Sequence, residues 1–288
     1  MSAPPAAPQA PASGGLSVRW TWAILVVAFL FVLMPFLFWQ ATWFGRPLSD
    51  DELRTHLADT QHPRKAQHAL AQIAERIEAR DATVKSWYPQ VAGLATHKVD
   101  EIRITAAWVM GKDNREDSFH AALLALLRDA HPMVRRNAAL SLVRFGDSTG
   151  RDEIAAMLRP FAVATPAAGV LSQRLQGGDS VNPGTLLARV TGKHGEVEIR
   201  SPVPGTLKQW FRSQDAELVH GEGFVLISPS AEVVFEALRA LVFVGQPQDL
   251  LEIERYAAGV EGMPESVAQQ AALTLRAIRS RSVPSASP

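Results

Sequence analysis

The residues best suited to chemistry are scattered along the chain, and their spacing decides what they can do. Eight histidines stand at positions 56, 62, 68, 97, 120, 131, 194 and 220. No pair has the His-x-x-x-His spacing that sets two imidazoles on one helix face for a metal. His62 and His131 each precede a proline, as structural turn residues do. Cysteine is absent, which excludes disulfides, thiolate metal sites and a cysteine nucleophile. No phosphate loop, nucleophile elbow or dinucleotide fingerprint occurs. Asp50, Asp51 and Glu52 follow Ser49 and read as first-turn acids of a helix rather than a metal cluster. Arg135 and Arg136 suit an anion at a helix start, or an ion pair with an acid of the adjacent turn, and the structural role is the expectation. Lys193, in the glycine-flanked stretch "TGKHGEVEIRSPVPG" (Thr191–Gly205), is the one candidate for covalent attachment of a cofactor. The expectation is therefore no catalytic residue, no metal and no cofactor.

Recognition of another protein needs different residues. Trp87-Tyr88 closes a helix before Pro89, and Trp210-Phe211 lies in an alternating stretch. Exposed aromatics of this kind dominate protein contacts, and burial in the core is the competing reading. Trp108 takes the place of Leu140 in a matching segment and reads as core. Lysine and arginine together balance aspartate and glutamate at 29 each, so nothing predicts an electrostatic grip on nucleic acid.

The elements that position these residues repeat. "EIRITAAWVMG" (Glu101–Gly111) matches "MVRRNAALSLV" (Met133–Val143) at an offset of 32, which aligns Arg103 with Arg135 and Ala106-Ala107 with Ala138-Ala139. "SVAQQAALTLRAI" (Ser266–Ile278) is a third copy, a weaker one begins at His62-Pro63, and Val234–Tyr256 is a fifth candidate. Paired alanines let neighbouring helices approach closely, and apolar residues at i, i+3, i+4 bury a seam. "DAHPMVRRNAALSLVRFGD" (Asp129–Asp147) carries the best match to a known pattern. The helical copies resemble short bacterial HEAT repeats over roughly residues 50–160 and 232–280, with an unrelated helical bundle as the alternative. The resemblance implies an α-solenoid.

Between Phe161 and Ser230 the helical period gives way to glycine, proline and short alternating runs. Pro166-Ala-Ala-Gly169 recurs as Pro202-Val-Pro-Gly205, and Asp179 recurs as Asp215, both at an offset of 36. The duplication predicts a flattened β-barrel of two matched halves. With "GGDSVNPGTLLARV", "VEIRSPVPGTL" and "GFVLI", the region resembles the biotinyl/lipoyl domain, or barrel-sandwich hybrid. That resemblance places the modified lysine at position 194, where this chain has a histidine. Lys193 falls one residue early, and a one-residue slip in a hairpin redirects a side chain to the other face. The expectation is an unmodified assembly module.

Trp20–Trp39 contains no charged residue and is long enough to span roughly 30 Å at about 1.5 Å per residue. With indoles at both ends it predicts a membrane anchor contacting the bilayer through residues 20–39. The expected organisation is a disordered tail (1–18), transmembrane helix (19–43), HEAT-like helices (49–160), an inserted biotinyl/lipoyl-like β domain (161–230), further HEAT-like helices (231–280) and a second tail (281–288). The fold class is α+β and multidomain. The expected location is the bacterial inner membrane, single-pass, with the body outside the cytoplasm. The expected function is a non-catalytic scaffold or assembly factor that binds a partner protein, a membrane complex, through HEAT-like and barrel surfaces. A transport adaptor is one alternative, and a cofactor carrier or HEAT-type lyase subunit is another.

Overall fold

The computed structural model describes residues 18–41, 47–59, 61–193 and 195–282. The expectations for residues 1–17, 42–43 and 283–288, and for His194, lie outside them. The chain divides into two compact units, Met1–Asp50 and Asp51–Pro288.

The first unit contributes helix α1 (Val18–Ala41), with Pro35 inside it. Its described apolar side chains are mostly exposed. Among the described residues no helix is long and apolar enough to cross a membrane. This finding overturns the transmembrane helix in the expected fold class and the single-pass inner-membrane location. Bilayer contact through residues 20–39 has no support.

The second unit begins with α2 (Asp50–Leu57), α3 (Pro63–Glu78), α4 (Tyr88–Gly93), α5 (Asp100–Met110), α6 (Asp117–Leu126), α7 (Pro132–Arg144) and α8 (Arg151–Ala156). After the strands come α9 (Ala231–Val244), α10 (Leu250–Ala257) and α11 (Glu265–Ser282). Helix α11 thus includes Arg281 and Ser282. One layer stacks α3 on α5, α5 on α7, α7 on α9 and α9 on α11. Ala106, Ala107, Ala138 and Ala139 are fully buried, as the paired-alanine pattern requires. A Cβ on Gly111 would collide with Ser141, so α5 and α7 meet more closely than larger residues allow.

The strands lie between α8 and α9: β1 (Phe161–Ala164), β2 (Gly169–Gln173), β3 (Ser180–Val181), β4 (Leu186–Gly192), β5 (Gly195–Arg200), β6 (Gly205–Trp210), β7 (Glu217–Leu218) and β8 (Gly223–Pro229). They form two antiparallel sheets of four, ordered β1-β8-β6-β3 and β5-β4-β2-β7. A shift of 36 or 37 residues exchanges β1 with β5, β2 with β6, β3 with β7 and β4 with β8, and so turns one sheet order into the other. The duplication reaches individual hydrogen bonds. Buried Thr165 donates its hydroxyl to the Ala167 carbonyl at 2.6 Å, and buried Ser201 donates to Val203 at 2.6 Å. Among the described residues no strand pair joins the two sheets. β3 pairs only with β6 and β7 only with β2, and each of these strands has two residues. The flattened β-barrel of the expected fold class is therefore corrected to two separate antiparallel sheets enclosing one apolar core, which includes Leu171, Val190, Leu207 and Ile227.

The chain closes over the β segment through two long-range contacts. Arg151 of α8 donates to buried Asp249 at 2.5 Å. The buried Tyr256 hydroxyl donates to the Leu158 carbonyl at 2.6 Å. Apolar residues of α8, α9, α10 and α11 share one core, so the helical stack continues past the strands.

Close backbone approach sets a testable limit. A Cβ on Gly205 would collide with the Ser228 carbonyl and the Ile227 side chain, whereas a Cβ on Gly93 meets nothing within 4 Å. Gly205→Ala is expected to lower unfolding stability by about 2–3 kcal/mol. Gly93→Ala should be neutral or stabilise by up to about 1 kcal/mol. Urea unfolding followed by circular dichroism checks both.

Candidate functional site

The repeat arginines occupy joints, not an open surface. Arg103 sends Nε to Asp129 at 2.7 Å, one terminal nitrogen to the other Asp129 oxygen at 2.9 Å, and the other to the His97 carbonyl at 2.7 Å. Arg135, its equivalent, sends Nε to Glu153 at 3.0 Å and a terminal nitrogen to the Asp129 carbonyl at 2.8 Å. Each arginine therefore staples the turn before its own helix to an acid of a later segment. Arg136 is buried at 4% exposure, with its guanidinium 5.7 Å from the Phe161 ring. It links α7 to β1 and presents no anion site at the surface.

Trp87 and Tyr88, offered by the sequence as contact residues, are each only 4% exposed. The Tyr88 ring packs at a tilt against Phe119, with centroids 4.5 Å apart, and its hydroxyl donates to Asp113 at 2.9 Å. Burial, reinforced by that bond to Asp113, pushes the phenol well above its usual range. Both residues are interior packing. Trp210 is half-buried and donates Nε1 to the Leu175 carbonyl at 3.3 Å, while its neighbour Phe211 is exposed. Lys193 stands exposed in the turn between β4 and β5. Among the described residues no group of three or more acids and histidines is placed to hold a metal.

Trp108 reverses its expectation as well. It is 43% exposed, not core. Lys112 lies over its ring at 4.2 Å and reaches Glu78 at 2.5 Å. Trp108 forms one end of a groove of about 230 Å³ that crosses α5, α7 and α9. Phe243, 72% exposed, forms the other end. Leu140 and Val143 lie between them, with Arg144 and Arg239 alongside. Glu236 also lines the groove; crowding away from water pushes its carboxyl up, against the pull of Arg239 and Arg144. The sequence reading missed Phe243, Arg144 and Arg239. One signal was available: Ile102, Ala106, Ala107, Val109 and Met110 mark the buried face of α5, and at about 100° per residue Trp108 falls on the opposite side of the helix. Chemically, the groove offers aromatic ends, an aliphatic floor and guanidinium donors. It is smaller than the roughly 300–1,000 Å³ of small-molecule sites.

Comparison with known proteins supports part of this architecture. The family profile described as HEAT repeats matches residues 89–171, from α4 into β2. No curated protein matches the chain. Among solved structures, the crystal structure of an engineered protein aligns at 14% identity and a TM-score of 0.37, over 79% of this chain and 78% of that one. That likeness is too weak to carry an argument.

The arginine staple predicts a pH response. Burial opposes ionisation of Asp129, but hydrogen bonds from Arg103 and the His131 amide outweigh it, and its carboxyl sits below the usual aspartate range. On acidification the unfolded chain takes up this proton first. The contribution is thus complete above about pH 4–5 and is lost as pH falls through the folded value. Asp129→Asn should reduce stability at neutral pH and flatten its decline in acid. Urea midpoints between pH 7 and pH 3 read this directly.

Proposed function

We propose that this chain is a non-catalytic scaffold that binds another protein through the groove across α5, α7 and α9. The observation that carries this reading is that groove: Trp108 and Phe243 stand exposed at its two ends, on a continuous layer of repeat helices. Stacked helical repeats supply extended surfaces of this kind for protein partners, and the HEAT match covers two of the three groove helices. Large exposed aromatics are also the residue types that dominate binding energy at interfaces.

The β segment serves in this reading as an unmodified relative of the biotinyl/lipoyl domain. The exchange of the two sheet orders by the duplication supports that kinship. Lys193 is accessible, so its use as an attachment site is a direct question for mass spectrometry. The intact mass of natively expressed protein is expected to equal the sequence mass. A lipoyl or biotinyl adduct on Lys193 would replace the scaffold reading with a carrier.

Native-level purification of the full chain should retain a stoichiometric protein partner, and Trp108→Ala with Phe243→Ala should reduce its recovery at least about tenfold, the scale of paired aromatic contacts. A chain that stays alone, or recovery unchanged by the double substitution, contradicts the proposal.

A further inference from the structure

We propose that the groove recognises an acidic segment of a partner protein carrying one bulky apolar side chain. The inference rests on the scaffold reading and specifies its ligand. Charge complementarity decides the class. Arg144 and Arg239 flank the groove, and neither guanidinium has a carboxylate within 4 Å among the described residues. Their condition differs from that of arginines in the joints: Arg103, Arg135 and Arg151 each hold a carboxylate at 3.0 Å or less. The nearby Lys112 is already neutralised by Glu78. Glu236 acts on both groove arginines, and Glu78 on Arg144, from a distance and without an ion pair to either. The two guanidiniums therefore offer their donors to a group from outside, and a planar fork suits a carboxylate.

Shape decides the rest. The ends of the groove are the Trp108 and Phe243 rings, and Leu140 and Val143 lie between them. A volume of about 230 Å³ admits side chains of a peptide. An apolar residue seated between the rings brings flanking carboxylates beside Arg144 and Arg239. Aromatic packing supplies affinity, and the charges supply selection and rate.

The test uses the full chain and four fluorescein-labelled probes read by anisotropy. Three are twelve-residue peptides: one acidic with a central phenylalanine, one with lysines replacing the acids, and one acidic with alanine at the centre. The fourth is a single-stranded oligouridylate. The acidic phenylalanine peptide is expected to bind at least about tenfold more tightly than the other three, and to weaken with added salt. Arg144→Glu with Arg239→Glu should remove that preference, and Trp108→Ala should weaken binding about tenfold with unchanged circular dichroism. Absence of binding, equal binding of acidic and basic peptides, tighter binding of the oligouridylate, or indifference to the arginine reversal overturns the assignment. Retention of a native partner by the arginine-reversed chain would refute the acidic ligand and leave the scaffold reading standing. Failure of the unaltered chain to retain any partner would refute the scaffold reading itself.

Discussion

The structure depends on how closely α5 can approach α7. Four fully buried alanines and Gly111 bring the two backbones together. At that distance Ser141 donates its hydroxyl to the Ala107 carbonyl at 2.8 Å, and Asn137 donates to the Ile104 carbonyl at 3.0 Å. The same device joins α9 to α11, where Thr274 donates to the Leu238 carbonyl at 2.9 Å. Dispersion between well-packed small residues is weak per contact and large in sum. The buried hydroxyls add direction, because a donor left unsatisfied there would be costly. A layer fixed in this way holds the groove residues of three helices at set spacings.

The strands interrupt the chain without interrupting that layer. Their core is their own, with Leu171 and Val190 in one half answered by Leu207 and Ile227 in the other. The helices on either side are tied by Arg151 to Asp249 and by Tyr256 to Leu158. Arg136 and Met133 of α7 touch the β segment from the helical side. Placing Arg136 there exchanges hydration for contact with an aromatic face. Burial lowers its affinity for a proton, but an arginine keeps its charge.

The repeat was legible in the sequence because its signals are local. Ala106-Ala107, Ala138-Ala139 and the Arg103–Arg135 correspondence follow from close helix packing and from one recurring joint. The duplication around Pro166–Gly169 and Pro202–Gly205 was legible for the same reason, since both turns contain an equivalent buried hydroxyl. Exposure was not local. Tyr88 is interior because Phe119 and Asp113, well separated in sequence, cover it, and the guanidinium of Arg54, distant in sequence, lies 5.7 Å from the Trp87 ring. Trp108 is open because no neighbouring element covers its place on α5, although it aligns with the half-buried Leu140. The flattened β-barrel was not borne out because two very short strands, β3 and β7, pair only within their own sheets. The groove itself draws residues from segments more than a hundred positions apart, beyond the reach of any periodicity.

The proposed partner protein would occupy the open side of α5, α7 and α9. Hydroxyl-radical footprinting of the full chain, alone and in its native complex, tests it at the level of side chains. Oxidation of Trp108 and Phe243 is expected to fall on complex formation while that of Phe211 and Val219, exposed on the β segment, stays constant. Unchanged oxidation of Trp108 and Phe243, with protection confined to the β segment, would contradict it.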